Sequence, residues 1–119
     1  MEKTNYSKIT VLNESRVELH DKLNLTGAEI SVNMLPAKAS VPFIHSHKHN
    51  EEIYIILEGE GTIKIDDESI VINKNDVIRV APSAKRQLFA SENSGLKYIC
   101  IQVKENSLDG FTQTDAVIC

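Results

Sequence analysis

The sequence predicts an all-β domain, a small antiparallel barrel or jelly roll, and three observations carry that expectation. Short alternating or wholly apolar stretches recur at close spacing through the 119 residues. Turn-forming clusters separate them: Asn13-Glu14-Ser15, Asp66-Asp67-Glu68, Asn73-Lys74-Asn75-Asp76 and residues 91–95. No stretch of convincing length shows an apolar face at helical period. About eight or more short strands with turn signals between them fit a barrel whose inward side chains meet in a lumen.

The composition narrows the classes of function. A chain of 119 residues has the length of one domain, and 41% hydrophobic residues is enough for a core. Thirteen basic against 17 acidic residues give a net charge of −4, with no long basic run. That balance argues against nucleic acid or an anionic membrane as partner. There is no apolar segment of signal-peptide or membrane-spanning length, so the expected location is the cytoplasm. Two cysteines are too few for a disulfide framework. Cys100 reads as a small core residue and Cys119 as an exposed thiol.

Taken in order, residues 1–7 form a loose polar start. Residues 9–12 and 17–19 are short strand candidates, and 20–27 read as a loop with Gly27 free to take an unusual backbone angle. His20, alone among charged neighbours, reads as a surface residue. Residues 28–35 alternate, with Ala28, Ile30, Val32 and Met34 on one face and Glu29, Ser31 and Asn33 on the other, the mark of a half-buried strand. Pro36 and Pro42 bracket a loop that leads to the histidines. Residues 53–57 are apolar on both faces and need cover on both sides, by another sheet or by a partner subunit, which favours an oligomer, most simply a homodimer. Glu58-Gly59-Glu60-Gly61 reads as a turn. Strands are expected over 61–65, 69–72, 77–80, 87–90 and 96–103, and a tail without strong periodicity follows Lys104.

The chemistry is concentrated in residues 41–61. His45, His47 and His49 fall within five residues, and Glu51 and Glu52 follow directly. If the segment is extended, His45 and His47 share a face, and a bend over residues 48–50 brings Glu52 opposite them. Two imidazoles and a carboxylate from neighbouring strands are a donor set that divalent transition metals favour. Solvated surface charge is the plainer alternative for such residues taken singly.

The string His45-x-His47-x4-Glu52-x6-Gly59, in a chain of this strand pattern, resembles the first motif of the cupin superfamily. A second cupin motif is matched more loosely by Asn75-Asp76 and Pro82. There Asn75 and Ala84 stand where glycines are usual, and Gln87 takes the histidine position. The resemblance implies a single-domain cupin over residues 1–119, with a double-stranded β-helix fold. It also implies one divalent transition metal per chain, held by His45, His47, Glu52 and Gln87. His49 is a further candidate ligand, continuing the alternation of the other two. The donors do not select among iron, manganese, nickel, cobalt and zinc.

Counting by twos from Glu52 places Tyr54 and Ile56 on the lumen side, and counting from Gln87 adds Phe89. Tyr54 is the candidate catalytic residue, as proton donor or as a hydrogen-bond partner for a substrate carbonyl. Arg79, Lys85 and Arg86 could meet an anionic group but read first as surface charge. Asn33 and Gln102 are further polar candidates. Two functions remain open. One is a small metalloenzyme (oxygenase, isomerase or lyase) acting on a small oxygenated metabolite. The other is a module that binds or senses a metal or small ligand without turnover.

Overall fold

The computed structural model describes residues 5–119. Its elements run β1 (Arg16–Glu18), α1 (His20–Leu23), β2 (Glu29–Leu35), β3 (Asn50–Ile65), β4 (Glu68–Asn73), β5 (Val77–Val80), β6 (Arg86–Ala90), β7 (Leu96–Lys104) and α2 (Thr112–Asp115). Every strand pair is antiparallel. The all-β expectation holds, with seven strands among the described residues. Residues 9–12 form no strand. Of the expected loose start, residues 1–4 lie outside the described residues and 5–7 have no regular structure.

β3 belongs to both sheets. Its first half pairs with β7 on one side and β5 on the other, and β2 and β1 continue that sheet beyond β7. Its second half pairs with β4 and β6 in the other sheet. The turn expected at Glu58 to Gly61 is therefore absent, and the chain runs straight through it as strand. A register shift between Ile56 and Glu58 marks the crossing. Glycine is required there for space. Gly59 has φ +84°, and a Cβ on it would lie 1.7 Å from the Gly95 carbonyl oxygen. A Cβ on Gly61 would lie 2.1 Å from the Phe89 carbonyl oxygen.

The turns follow the sequence more closely. Asp66 (φ 52°) turns the β3–β4 hairpin, and Asn75 (φ 77°) turns the chain before β5. Asparagine tolerates the left-handed region, which explains how Asn75 stands in a glycine position. Residues 20–27 are not simply a loop, because α1 forms a single helical turn there. Its left-handed end residue is Asn24 (φ 56°) rather than Gly27.

Ile56, Ile63, Ile72, Val80, Leu88 and Leu96 make the apolar core. Each such side chain stabilises the fold by about 1.5–3 kcal/mol relative to exposure. On β2 the polar face is the inner one: Ser31 and Asn33 are buried, while Ile30, Val32 and Met34 are only half-buried. The polar face of β2 looks into the lumen. Its apolar face continues an outer surface whose cross-strand rows are Val32, Ile99, Ile55, Val77 and Ile30, Ile101, Ile53. Beyond β7 the tail carries exposed Leu108, Phe111, Val117 and Ile118. No helix among the described residues is long and apolar enough to cross a membrane.

Candidate metal centre

The segment carrying the histidines is extended but irregular, and it lies along β6 and the residues before it. His45 exchanges two backbone hydrogen bonds with Arg86, and the His47 amide donates to the Pro82 carbonyl. Alternation then turns both imidazoles the same way, toward Glu52 on β3. His45 Nε2 lies 3.6 Å from Glu52 Oε1, and His47 Nε2 lies 3.1 Å from Glu52 Oε2. The rings meet edge to face, with centroids 5.3 Å apart.

One ligand atom from each of His45, His47 and Glu52 falls within 4.8 Å of the other two. Metal–ligand bonds of about 2.0–2.2 Å place adjacent donors about 3 Å apart, within reach of small side-chain rotations. His45 Nδ1 and His47 Nε2 are buried without a hydrogen-bond partner. A buried lone pair left in this state suits a cation that completes it. The three residues fit a divalent metal.

Glu52 is only 2% exposed. Burial alone would raise its pKa, but hydrogen bonds from Tyr54 and Cys100, with the electrostatic pull of His47 and Arg86, outweigh that and hold it below its ordinary value. The Tyr54 hydroxyl donates to Oε1 at 2.5 Å, and the Cys100 thiol donates to Oε2 at 3.2 Å. Burial pushes the Tyr54 phenol and the Cys100 thiol up, so both keep their protons and remain donors. Tyr54 thus holds Glu52 in place and has its proton engaged there.

Above the cluster is a cavity of about 520 Å³. Tyr54, Tyr98, Cys100, Asn33 and Gln102 line it, with Phe43, Met34 and Leu88 among its apolar walls. The expected pocket residue Tyr54 is there. Ile56 is buried in the core instead, and Phe89 is half-buried outside the lining.

Gln87 does not join the cluster. β6 presents Arg86 and Leu88 inward, so Gln87 turns the other way and donates its amide to the Val41 carbonyl at 2.7 Å. Arg86, expected at the surface, is 0% exposed. Its Nη1 lies 3.5 Å from Glu52 Oε1 and its Nη2 donates to the Ala81 carbonyl. A fixed positive charge therefore faces the carboxylate from β6. The RQLFA pattern gives no period that separates these two registers. His49 is exposed and outside the cluster. Arg79 pairs with Glu51 and Glu105 at the surface, Lys85 is exposed, and His20 contacts Asp21 at the surface.

Burial holds His45 below its ordinary value of 6.5, against the pull of Glu52 and with a further push from Arg86 and His47. The imidazole is neutral near pH 7 and able to donate a lone pair. Below 6.5 the unfolded chain takes a proton here that the folded chain does not, so stability falls as pH falls. The urea midpoint of metal-free protein should drop between about pH 7.5 and pH 5.5, and drop less in His45→Gln. Equal drops in both proteins would contradict this account.

Residues 31–102 match the family described as Cupin domain. A cupin protein of Bacteroides fragilis, known from its crystal structure, is 55% identical with a TM-score of 0.95, covering 98% of this chain and 99% of that one. A predicted oxalate decarboxylase of Thermotoga maritima is 25% identical with a TM-score of 0.59, covering 63% of this chain and 64% of that one. An uncharacterised protein of Methanocaldococcus jannaschii is 36% identical over 69 residues, or 54% of this chain. That stretch spans 55%, about half, of the archaeal protein's length. The family match covers more than half of the chain and includes His45, His47 and Glu52, and the chain belongs to the cupin family.

Proposed function

We propose that this cupin binds one divalent transition metal through His45, His47 and Glu52 and acts on a small oxygenated metabolite in its lumen, as an oxygenase, isomerase or lyase. The observation that carries the reading is the convergence of two imidazoles and one carboxylate on a cavity of about 520 Å³. Three protein donors leave coordination positions open for a ligand. A metal held there would supply Lewis acidity and, if redox-active, electron exchange. The chain's own residues do the rest. Tyr54 and Cys100 keep Glu52 ionised and oriented, and Asn33 and Gln102 offer amide groups to a ligand. Met34, Phe43 and Leu88 present apolar surface to it. The name of the Thermotoga maritima relative, a predicted oxalate decarboxylase, supports cleavage of a small acid as one form of this chemistry.

One observation favours the second reading, a binding module without turnover. The Tyr54 proton is committed to Glu52, and the buried Arg86 beside that carboxylate is a permanent cation that cannot shuttle protons. Metal analysis by inductively coupled plasma mass spectrometry, on untagged protein prepared without chelator, tests the shared premise. The expected result is about one metal per chain, lost in His47→Ala. Little metal in either protein after reconstitution would overturn both metal-based readings. If the metal is iron, substrate-dependent dioxygen uptake separates oxygenase from binding module.

We further propose that a second copy of the chain covers the outer rows of Ile30, Val32, Ile53, Ile55, Ile99 and Ile101. Two surfaces of one chain support this: the half-buried apolar sheet face and the exposed apolar tail with Phe111, Val117 and Ile118. Light scattering after size exclusion should give a dimer that Ile55→Glu turns into a monomer. A monomeric wild type would refute it.

A further inference from the structure

The cavity has a second polar feature, set apart from the metal donors. Besides His45, His47 and Glu52, its lining has one charged side chain, Arg16. Arg16 sits on the edge strand β1, opposite Asn33 on β2, which faces Tyr98 on β7. Glu52 belongs to another cross-strand row, opposite Gln102 on β7. Tyr98 and Gln102 are four residues apart, roughly 13 Å along the strand at about 3.3 Å per residue. The guanidinium and the metal donors thus serve different parts of one wall.

The guanidinium is held in place. Nη1 donates to Asn33 Oδ1 at 2.8 Å, and Asn33 Nδ2 donates to Ser31 Oγ at 2.9 Å. Asn33 is 4% exposed and Ser31 3%, so a buried polar relay fixes one edge of the fork. The partner at Nε is weak: Glu18 Oε1 lies 3.4 Å away, and both side chains are more than half exposed. Nη2 has no acceptor among the described residues. A planar fork with free donors matches a carboxylate better than an ammonium would. In a chain of net charge −4, a cation on the lumen wall gives the cavity a local preference for anions. Met34, Leu35 and Tyr98 also line the cavity and would lie along the body of a ligand reaching from Arg16 toward the cluster.

The geometry points to an anion subsite at Arg16 and Asn33, so that the cavity takes a small carboxylic acid with an oxygen donor at its other end. The far-end contact rests on the metal-site reading, whereas the Arg16 contact does not. Arg16 sets specificity by pairing with the carboxylate, while the oxygen donor at the other end would complete the coordination of a metal held by His45, His47 and Glu52.

Isothermal titration calorimetry with succinate, glutarate and adipate, against manganese-loaded and metal-free protein, tests this. At least one of these acids should bind the loaded protein, and its diamide should bind about tenfold more weakly or worse. Arg16→Gln should lose a similar factor with manganese affinity unchanged, and Arg16→Lys should recover part of it. Asn33→Asp, which neutralises the guanidinium from beside it, is the second variant and should lose affinity in the same way. The Arg16 effect should persist, at weaker overall binding, in metal-free protein. A protein that binds no manganese but shows the Arg16 effect would end the metal reading and leave the anion subsite standing. Equal binding to wild type and both variants, or no binding of any of the acids, would overturn the subsite.

Discussion

Placing an ionised carboxylate inside the barrel constrains everything around it. Glu52 is almost fully removed from solvent, and a buried charge without partners costs several kcal/mol. The chain offsets this with a phenol from its own strand, a thiol from β7, a guanidinium from β6 and two imidazoles from the segment beside β6. Four separate stretches of chain must be in register before Glu52 is satisfied. That requirement couples the fold to the site.

Polar groups on part of the lumen wall follow from that arrangement. Ser31, Asn33, Cys100 and Gln102 share the inner side of the sheet with Glu52, and on β2 the apolar side chains Ile30 and Val32 lie on the outer face. The usual polarity of a half-exposed sheet is inverted over this region. Hydrophobic core remains where the second sheet closes over Ile56, Ile63, Ile72 and Leu88. The barrel is therefore divided into an apolar end that supports the fold and an end that carries the donor cluster and the cavity. β3 runs through both, and it can do so because Gly59 and Gly61 admit neighbouring backbones that any side chain would exclude.

These features explain what could be read from the sequence. Most strand positions, the Asp66 and Asn75 turns and the trio His45, His47 and Glu52 were legible because each rests on local spacing. The inner face of β2 was not, since alternation reveals two faces but not which one meets solvent when the lumen is polar. Arg86 was hidden by a one-residue ambiguity in β6, where Gln87 and Phe89 fit the same alternation as Arg86 and Leu88. The strand at Glu58 to Gly61 read as a turn because its glycines serve close packing between strands, and glycine signals both. Arg16 and Cys100 were out of reach for a different reason. Their roles depend on cross-strand neighbours that lie far away in sequence, Arg16 beside Asn33 and Cys100 beside Glu52.

The central claim is that Glu52 is buried in order to hold a metal with His45 and His47. Anomalous diffraction from crystals soaked in cobalt addresses it most directly. The account predicts one strong peak about 2.0–2.3 Å from a nitrogen of His45, a nitrogen of His47 and an oxygen of Glu52. No peak there at saturating cobalt, with Glu52 still held only by Tyr54, Cys100 and Arg86, would contradict it.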